Sequence, residues 1–502
     1  MVFSSAIFLF VFLPSVFLLS RILPGQKAKN ALLIGFSLIF YAFGSLAYLP
    51  LLLGSVLINY TGGLFAAGAL GHKAFAPSGA ASRQEEGADA LMQAAEAAET
   101  EGGRKDRVRR LAVAVTVVLN LLILGVFKYA DFVLETVNAV TGMTLPLPGI
   151  VLPIGISFFT FQGLSYVIDV YREPETVSRS FAKVLLYISF FPQLVAGPIV
   201  KYKDVAAQID HRTCTPQTTS DGILRFITGL SKKLLLADTV GAAADTVFAL
   251  TAAELDIRLA WLGAVCYFFQ IYYDFSGYSD MAIGLGKMFG FTFRENFLHP
   301  YAAGSMRDFW RRWHVSLSSW FRDYLYIPLG GNRKGRVRTH LNKLIVFFST
   351  GLWHGANWTF VLWGLWHGAC ITLEDWLRDH GRPIPKGIDR IWAMLMVLLA
   401  FVLFRADNVA QAGMMYEAMF TGFTITTSTS AVLAGLATPS LLTALVVCAV
   451  LSFPLAEKCS SLAGGAPRLL PALAQAGALV LLVLDMMVLA STSFSPFIYF
   501  QF

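Results

Sequence analysis

The stretch Asp308–Gly335, DFWRRWHVSLSSWFRDYLYIPLGGNRKG, and the stretch Ser349–Ala369, STGLWHGANWTFVLWGLWHGA, together decide how this chain is read. Three of its eight histidines, His314, His354 and His367, lie here, each directly after a tryptophan. Between Arg307 and Lys343 stand nine Lys or Arg residues and only two acids, Asp308 and Asp323. Charge alone reads as a cytoplasmic loop at a membrane edge. Yet Phe309, Trp310, Trp313, Trp320, Phe321, Tyr324 and Tyr326 interleave with the arginines and give the loop a face to bury. The second stretch is apolar and of helical, membrane-spanning character.

The rest of the 502-residue chain agrees: 56% of it is hydrophobic and only 14% charged, against about 25% in soluble proteins. Apolar runs of spanning length recur from end to end, which predicts an all-α polytopic membrane protein rather than a barrel. Counting about 20 residues per span gives roughly eleven to thirteen transmembrane or re-entrant helices in one domain, 1–502. The net charge of +7 fits cytoplasmic loops and implies no nucleic acid. Five cysteines, Cys214, Cys266, Cys370, Cys448 and Cys459, are scattered without a CxxC pair, so neither a disulfide framework nor a thiolate metal site is expected.

In chain order, Met1–Ser20 has its first positive charge beyond the apolar run, at Arg21, and reads as an uncleaved span with an extracytoplasmic N-terminus. Gly71–Arg110 reads as a cytoplasmic insertion with no catalytic role. Leu111–Tyr129 is the next span, and Ala130–Gly149 a less hydrophobic connector. Phe181–Ile199 holds FFPQLVAGPI and predicts a broken helix. Asp274 and Asp280 stand inside the apolar run QIYYDFSGYSDMAIGLG; intramembrane carboxylates are functional candidates, but six residues put them about 240° apart on a helix.

The histidines carry the chemistry. A buried imidazole is favoured in its neutral form, the form that accepts a proton. Metal ligation is not expected: His354 and His367 are thirteen apart, about 220° around an unbroken helix, and no HExxH accompanies them. Arg307, Arg311, Arg312 and Arg322 are placed to bind a phosphate-bearing ligand, since guanidinium groups grip phosphate oxygens in pairs.

At RDFWRRWHVSLSSWFRDYLYIPLGG and GLWHGANWTFVLWGLWHG the chain resembles the membrane-bound O-acyltransferase family, in its bacterial alginate and peptidoglycan O-acetyltransferase branch. MVFSSAIFLFVFLP, FFPQLVAGPIVKY, YYDFSGYSDMAIGLGKMFGF and FIYFQF extend the likeness over nearly the whole chain. The resemblance implies a helical fold around a central funnel or tunnel, with a catalytic core at 307–369. It implies that His354, of the WHG motif, is the essential base and His314, of the RRWH motif, the second site residue. There His314 would orient the acyl group or hydrogen-bond the developing oxyanion. His367 ranks as a structural echo, and Trp313, Trp353, Asn357 and Asp274 as supporting residues. It further implies acetyl-coenzyme A or another acyl thioester as donor substrate, with no resident cofactor. The acceptor would be an extracytoplasmic polysaccharide, reached directly or through a periplasmic SGNH-like partner, and the location the bacterial inner membrane. The rival readings are a transporter or flippase, which broken helices and intramembrane aspartates would suit, and a non-catalytic membrane scaffold.

Overall fold

A computed structural model describes residues 1–69, 88–454, 469–491 and 497–498. They are helical, with no strand among them. Helices α1 (Leu13–Ile22), α2 (Gln26–Ser45), α3 (Leu49–Ala66) and α4 (Ala88–Thr141) open the chain. There follow α5 (Ile156–Arg172), α6 (Phe181–Ser189), α7 (Phe191–Leu194), α8 (Tyr202–Asp210), α9 (Pro216–Ser231) and α10 (Asp238–Phe248). Next come α11 (Ile257–Met288), α12 (Met306–Arg312), α13 (Val315–Phe321), α14 (Arg336–His354) and α15 (Trp358–Asp379). The last are α16 (Ile388–Arg405), α17 (Val409–Thr421), α18 (Thr427–Leu436), α19 (Pro439–Leu451) and α20 (Leu469–Ser491). The residues group into two compact units: one is Ile22–Val195 with Val200–Arg212, the other Met1–Arg21, Ala196–Ile199 and Thr213–Phe502.

Within the described residues, Leu46–Ala66, Gly103–Thr141 and Ala472–Ser491 are each long and apolar enough to cross a bilayer, and α18 with α19 forms a further pair bent by 68°. Other apolar stretches are shorter, or are diluted by polar residues, as Asp274 and Asp280 dilute α11. In the first unit α3 and α4 are joined by buried Asn59 and Asn120, whose amides exchange hydrogen bonds at 3.0 Å in both directions. Polar pairs of this kind hold apolar helices together where burial alone provides little drive.

One expectation changes. The connector after Tyr129 is helix as far as Thr141, because the segment lacks a breaker until Gly142, Pro146 and Pro148. Of Gly71–Arg110, the part up to residue 87 lies outside the described residues, and 88–110 is helix continuous with the α4 span. Phe181–Ile199 is indeed broken: α6 ends at Ser189, and α7 restarts with Pro192 in its first turn, where its missing N–H costs nothing.

The second unit positions the histidines through the α14–α15 hairpin. Its two GLWHGA copies explain each other. A Cβ on Gly351 would lie 2.3 Å from the Phe360 carbonyl oxygen, and one on Gly364 would lie 2.3 Å from that of Phe347. Each copy's leading glycine thus lets the opposing backbone approach. Gly364→Val is expected to destabilise the protein by about 3 kcal/mol, the upper end for overpacking, since backbone cannot move aside as a side chain can. Thermal unfolding in detergent, with Gly435→Val as a control at a site with open space, checks this; equal melting temperatures would contradict it.

Candidate active site

His314 comes from the short link between α12 and α13. The link turns because Trp313 is extended and His314 adopts the left-handed region, φ 44° and ψ 54°. Trp313 is anchored in the core, stacked on Phe309 at 5.4 Å and packed against Phe297 and Phe401. It fixes the link and touches none of the three histidines through its ring.

His354 is the last residue of α14. The helix stops there because Gly355 is extended, φ −164° and ψ 154°, and Asn357 caps the next helix, its Oδ1 accepting the Thr359 N–H at 3.1 Å. The Asn357 amide also donates to the Asp407 carbonyl at 2.7 Å. Asn357 is therefore the hairpin's structural cap. This break removes the divergence expected of an unbroken helix and returns the chain so that His367 and His354 both pack on Trp363.

The three histidines join one array of alternating rings. From one end, Trp310 meets His367 at 5.1 Å, and His367 meets Trp363 at 4.9 Å. Trp363 meets His354 at 5.0 Å, and His354 meets Trp353 at 5.0 Å. Trp353 then reaches His314 at 6.1 Å. Phe404 of α16 closes the third side of His354 at 5.2 Å, edge-on. His314, His354 and His367 are 0, 4 and 0% exposed. Their orientation is set by packing, and water is kept from them, which strengthens any polar interaction made there. His367 shares Trp363 with His354. Trp310 is read from the sequence only as one of the aromatics of the basic stretch, and Trp363 and Phe404 not at all; the shared W-x-x-W-H pattern at 310–314 and 363–367 is the signal for the two tryptophans.

The basic half is less free than the charge count implied. Arg307, Lys343 and Arg378 all converge on Asp375, which is 6% exposed at its side chain. Arg312 pairs with Asp308 at 3.0 Å, and Arg322 with Asp323 at 2.8 Å. Arg311 is exposed and, among the described residues, pairs with no acid. Three of the four arginines assigned to ligand binding are therefore tied into structural ion pairs. Asp274 is likewise occupied, by Lys233 at 2.8 Å and by the Ile498 N–H at 2.8 Å. Among the described residues no three His, Cys, Asp or Glu side chains come together as a metal-binding group.

The profile of MBOAT, the membrane-bound O-acyltransferase family, matches residues 172–410, a span that contains the whole array. The chain is 40% identical to the probable alginate O-acetylase AlgI of Pseudomonas putida and 38% identical to that of Azotobacter vinelandii, in each case over 100% of both chains. It is 34% identical to the peptidoglycan O-acetyltransferase of Helicobacter pylori, over 82% of this chain and 78% of that one. With this resemblance running the full length, through the array and both flanks, the chain belongs to the membrane-bound O-acyltransferase family and is an O-acyltransferase.

Proposed function

We propose that this enzyme moves an acetyl group from acetyl-coenzyme A, on the cytoplasmic side of a bacterial inner membrane, to hydroxyls of an extracytoplasmic polysaccharide. The observation that carries this reading is the buried array holding His354 and His314 around Trp353, in a chain whose relatives over most or all of its length are named as an alginate O-acetylase and a peptidoglycan O-acetyltransferase. His354 takes the proton of the attacking hydroxyl, or of a carrier hydroxyl that relays the acyl group. The hydroxyl oxygen bonds to the thioester carbonyl carbon, the carbon–sulfur bond breaks, and coenzyme A leaves as a thiolate that takes up a proton. His314, one tryptophan away, orients the reacting groups. Arg311, the exposed arginine without an acid partner among the described residues, is the candidate for the donor's phosphates. A periplasmic SGNH-like partner completes delivery to the polymer.

The test is mass spectrometry of surface polysaccharides and peptidoglycan from cells with and without the protein, combined with labelled acetyl-coenzyme A supplied to isolated membranes. Label in ester-linked acetyl groups on one polymer, lost with the protein, is the expected result. Unchanged esters on every polymer, or label entering from another thioester alone, would overturn it.

A further inference from the structure

His314 is held in a backbone conformation that costs a residue with a side chain about 1–2 kcal/mol, so its surroundings must impose it. One neighbouring segment does so. Two backbone hydrogen bonds straddle the histidine: Leu298 N–H to the Arg312 carbonyl at 3.0 Å, and Val315 N–H to the Asn296 carbonyl at 3.0 Å. The same segment supplies the side chain of Asn296, which is 1% exposed.

The Asn296 side-chain oxygen accepts from the Ser316 backbone N–H at 3.1 Å and from the Ser316 hydroxyl at 2.8 Å, while its nitrogen donates to the Ser279 hydroxyl at 3.2 Å. A backbone N–H can only donate, so the oxygen must face this way, and the orientation of the amide is settled. That oxygen lies 3.2 Å from His314 Nδ1. Two lone pairs would repel along that line, so Nδ1 carries the proton. Ser316 Oγ, 3.4 Å from Nδ1, does not change this. Its proton is directed to Asn296, and it receives the Ile199 N–H at 2.9 Å. A neutral imidazole has one N–H, which leaves Nε2 as a bare acceptor, buried and without a hydrogen-bond partner among the described residues.

We infer that Asn296 is a positioning residue that fixes His314 as the Nδ1–H tautomer, so that His314 serves as a hydrogen-bond and proton acceptor through Nε2. The inference rests on the acyl-transfer reading for its consequence, and it replaces the oxyanion-donor role implied by the resemblance: a neutral His314 held this way has no proton on Nε2 to give. The opposite arrangement holds at the far end of the array. The Trp310 indole N–H, a donor only, points to His367 Nδ1 at 3.3 Å, so that histidine keeps its proton on Nε2. The array thus presents an acceptor nitrogen at one end and a donor nitrogen at the other.

Solid-state nitrogen NMR of the full-length protein, labelled with 15N-histidine in lipid nanodiscs, reads the tautomer directly, with His314→Gln identifying the signal. The expected result is a protonated Nδ1 and a bare Nε2 in the wild type and in Asn296→Asp, whose carboxylate also accepts from Nδ1, and a mixed or reversed tautomer in Asn296→Ala. With acetyl-coenzyme A as probe, Asn296→Ala should lower kcat roughly 100-fold, in the range expected for loss of a positioned acid–base group. KM should change less than about threefold, as expected when the loss falls on the transition state, and Asn296→Asp should restore most of the rate. A protonated Nε2 in the wild type would overturn the assignment, as would Asn296→Ala with unchanged tautomer and kcat. Since the spectrum needs no turnover, it decides the tautomer whether or not acetyl-coenzyme A is the donor.

Discussion

Replacing His354 by glutamine is expected to reduce acyl transfer by roughly 10²–10⁴-fold, the contribution typical of a positioned general base. Glutamine nearly fills the imidazole's space, can hydrogen-bond, and cannot take up a proton. His354 sits edge-on to Trp353, Trp363 and Phe404, at 5.0, 5.0 and 5.2 Å. An alanine there would open a cavity among these rings, at a stability cost of the kind seen for large buried side chains. The glutamine variant therefore isolates chemistry from packing. The measurement is initial rate with saturating donor alongside the thermal midpoint of the purified variant. An unaltered midpoint with the rate lost is the predicted pattern. A rate near wild type would remove His354 from the chemistry and leave it a packing residue in an aromatic box.

The sequence made much of this legible, and the reasons are local. Alternation of tryptophan and histidine, and the run of arginines beside aromatics, are written within a few residues of one another. The failure of Phe181–Ile199 to continue as one helix follows from Pro192. What could not be read depends on partners far along the chain. Arg307 looked available for a phosphate because its neutralising acid, Asp375, is 68 residues away. Asn296 precedes His314 by 18 residues and carries no motif of its own; its importance lies in a backbone clamp that forms only on folding. The expected divergence of His354 and His367 rests on an unbroken helix over thirteen residues. A three-residue break at Gly355–Asn357 invalidates that geometry and carries His367 back to the ring that also touches His354.

Asp274 is where stability, rather than chemistry, should show most strongly. Lys233→Met is expected to cost about 3–5 kcal/mol, the penalty for stranding one member of a buried ion pair. The Asp274 and Lys233 side chains are only 2 and 5% exposed. Among the described residues Lys233 is the one cation that reaches Asp274, whereas Lys233 also contacts Asp238 at 2.7 Å, near more accessible surface. The two single substitutions should therefore be unequal. Asp274→Asn keeps an oxygen for the Ile498 N–H and leaves Lys233 its second acid, so it should lower the unfolding midpoint less than Lys233→Met does. Combining Lys233→Met with Asp274→Leu removes both charges. The double variant should recover part of the loss, short of about 1–3 kcal/mol for leaving the buried Ile498 N–H without an acceptor. If Asp274 instead served the reaction, Asp274→Asn would abolish acyl transfer while scarcely moving the midpoint. The structural reading requires the reverse order: Lys233→Met the least stable of the three, and Asp274→Asn still active.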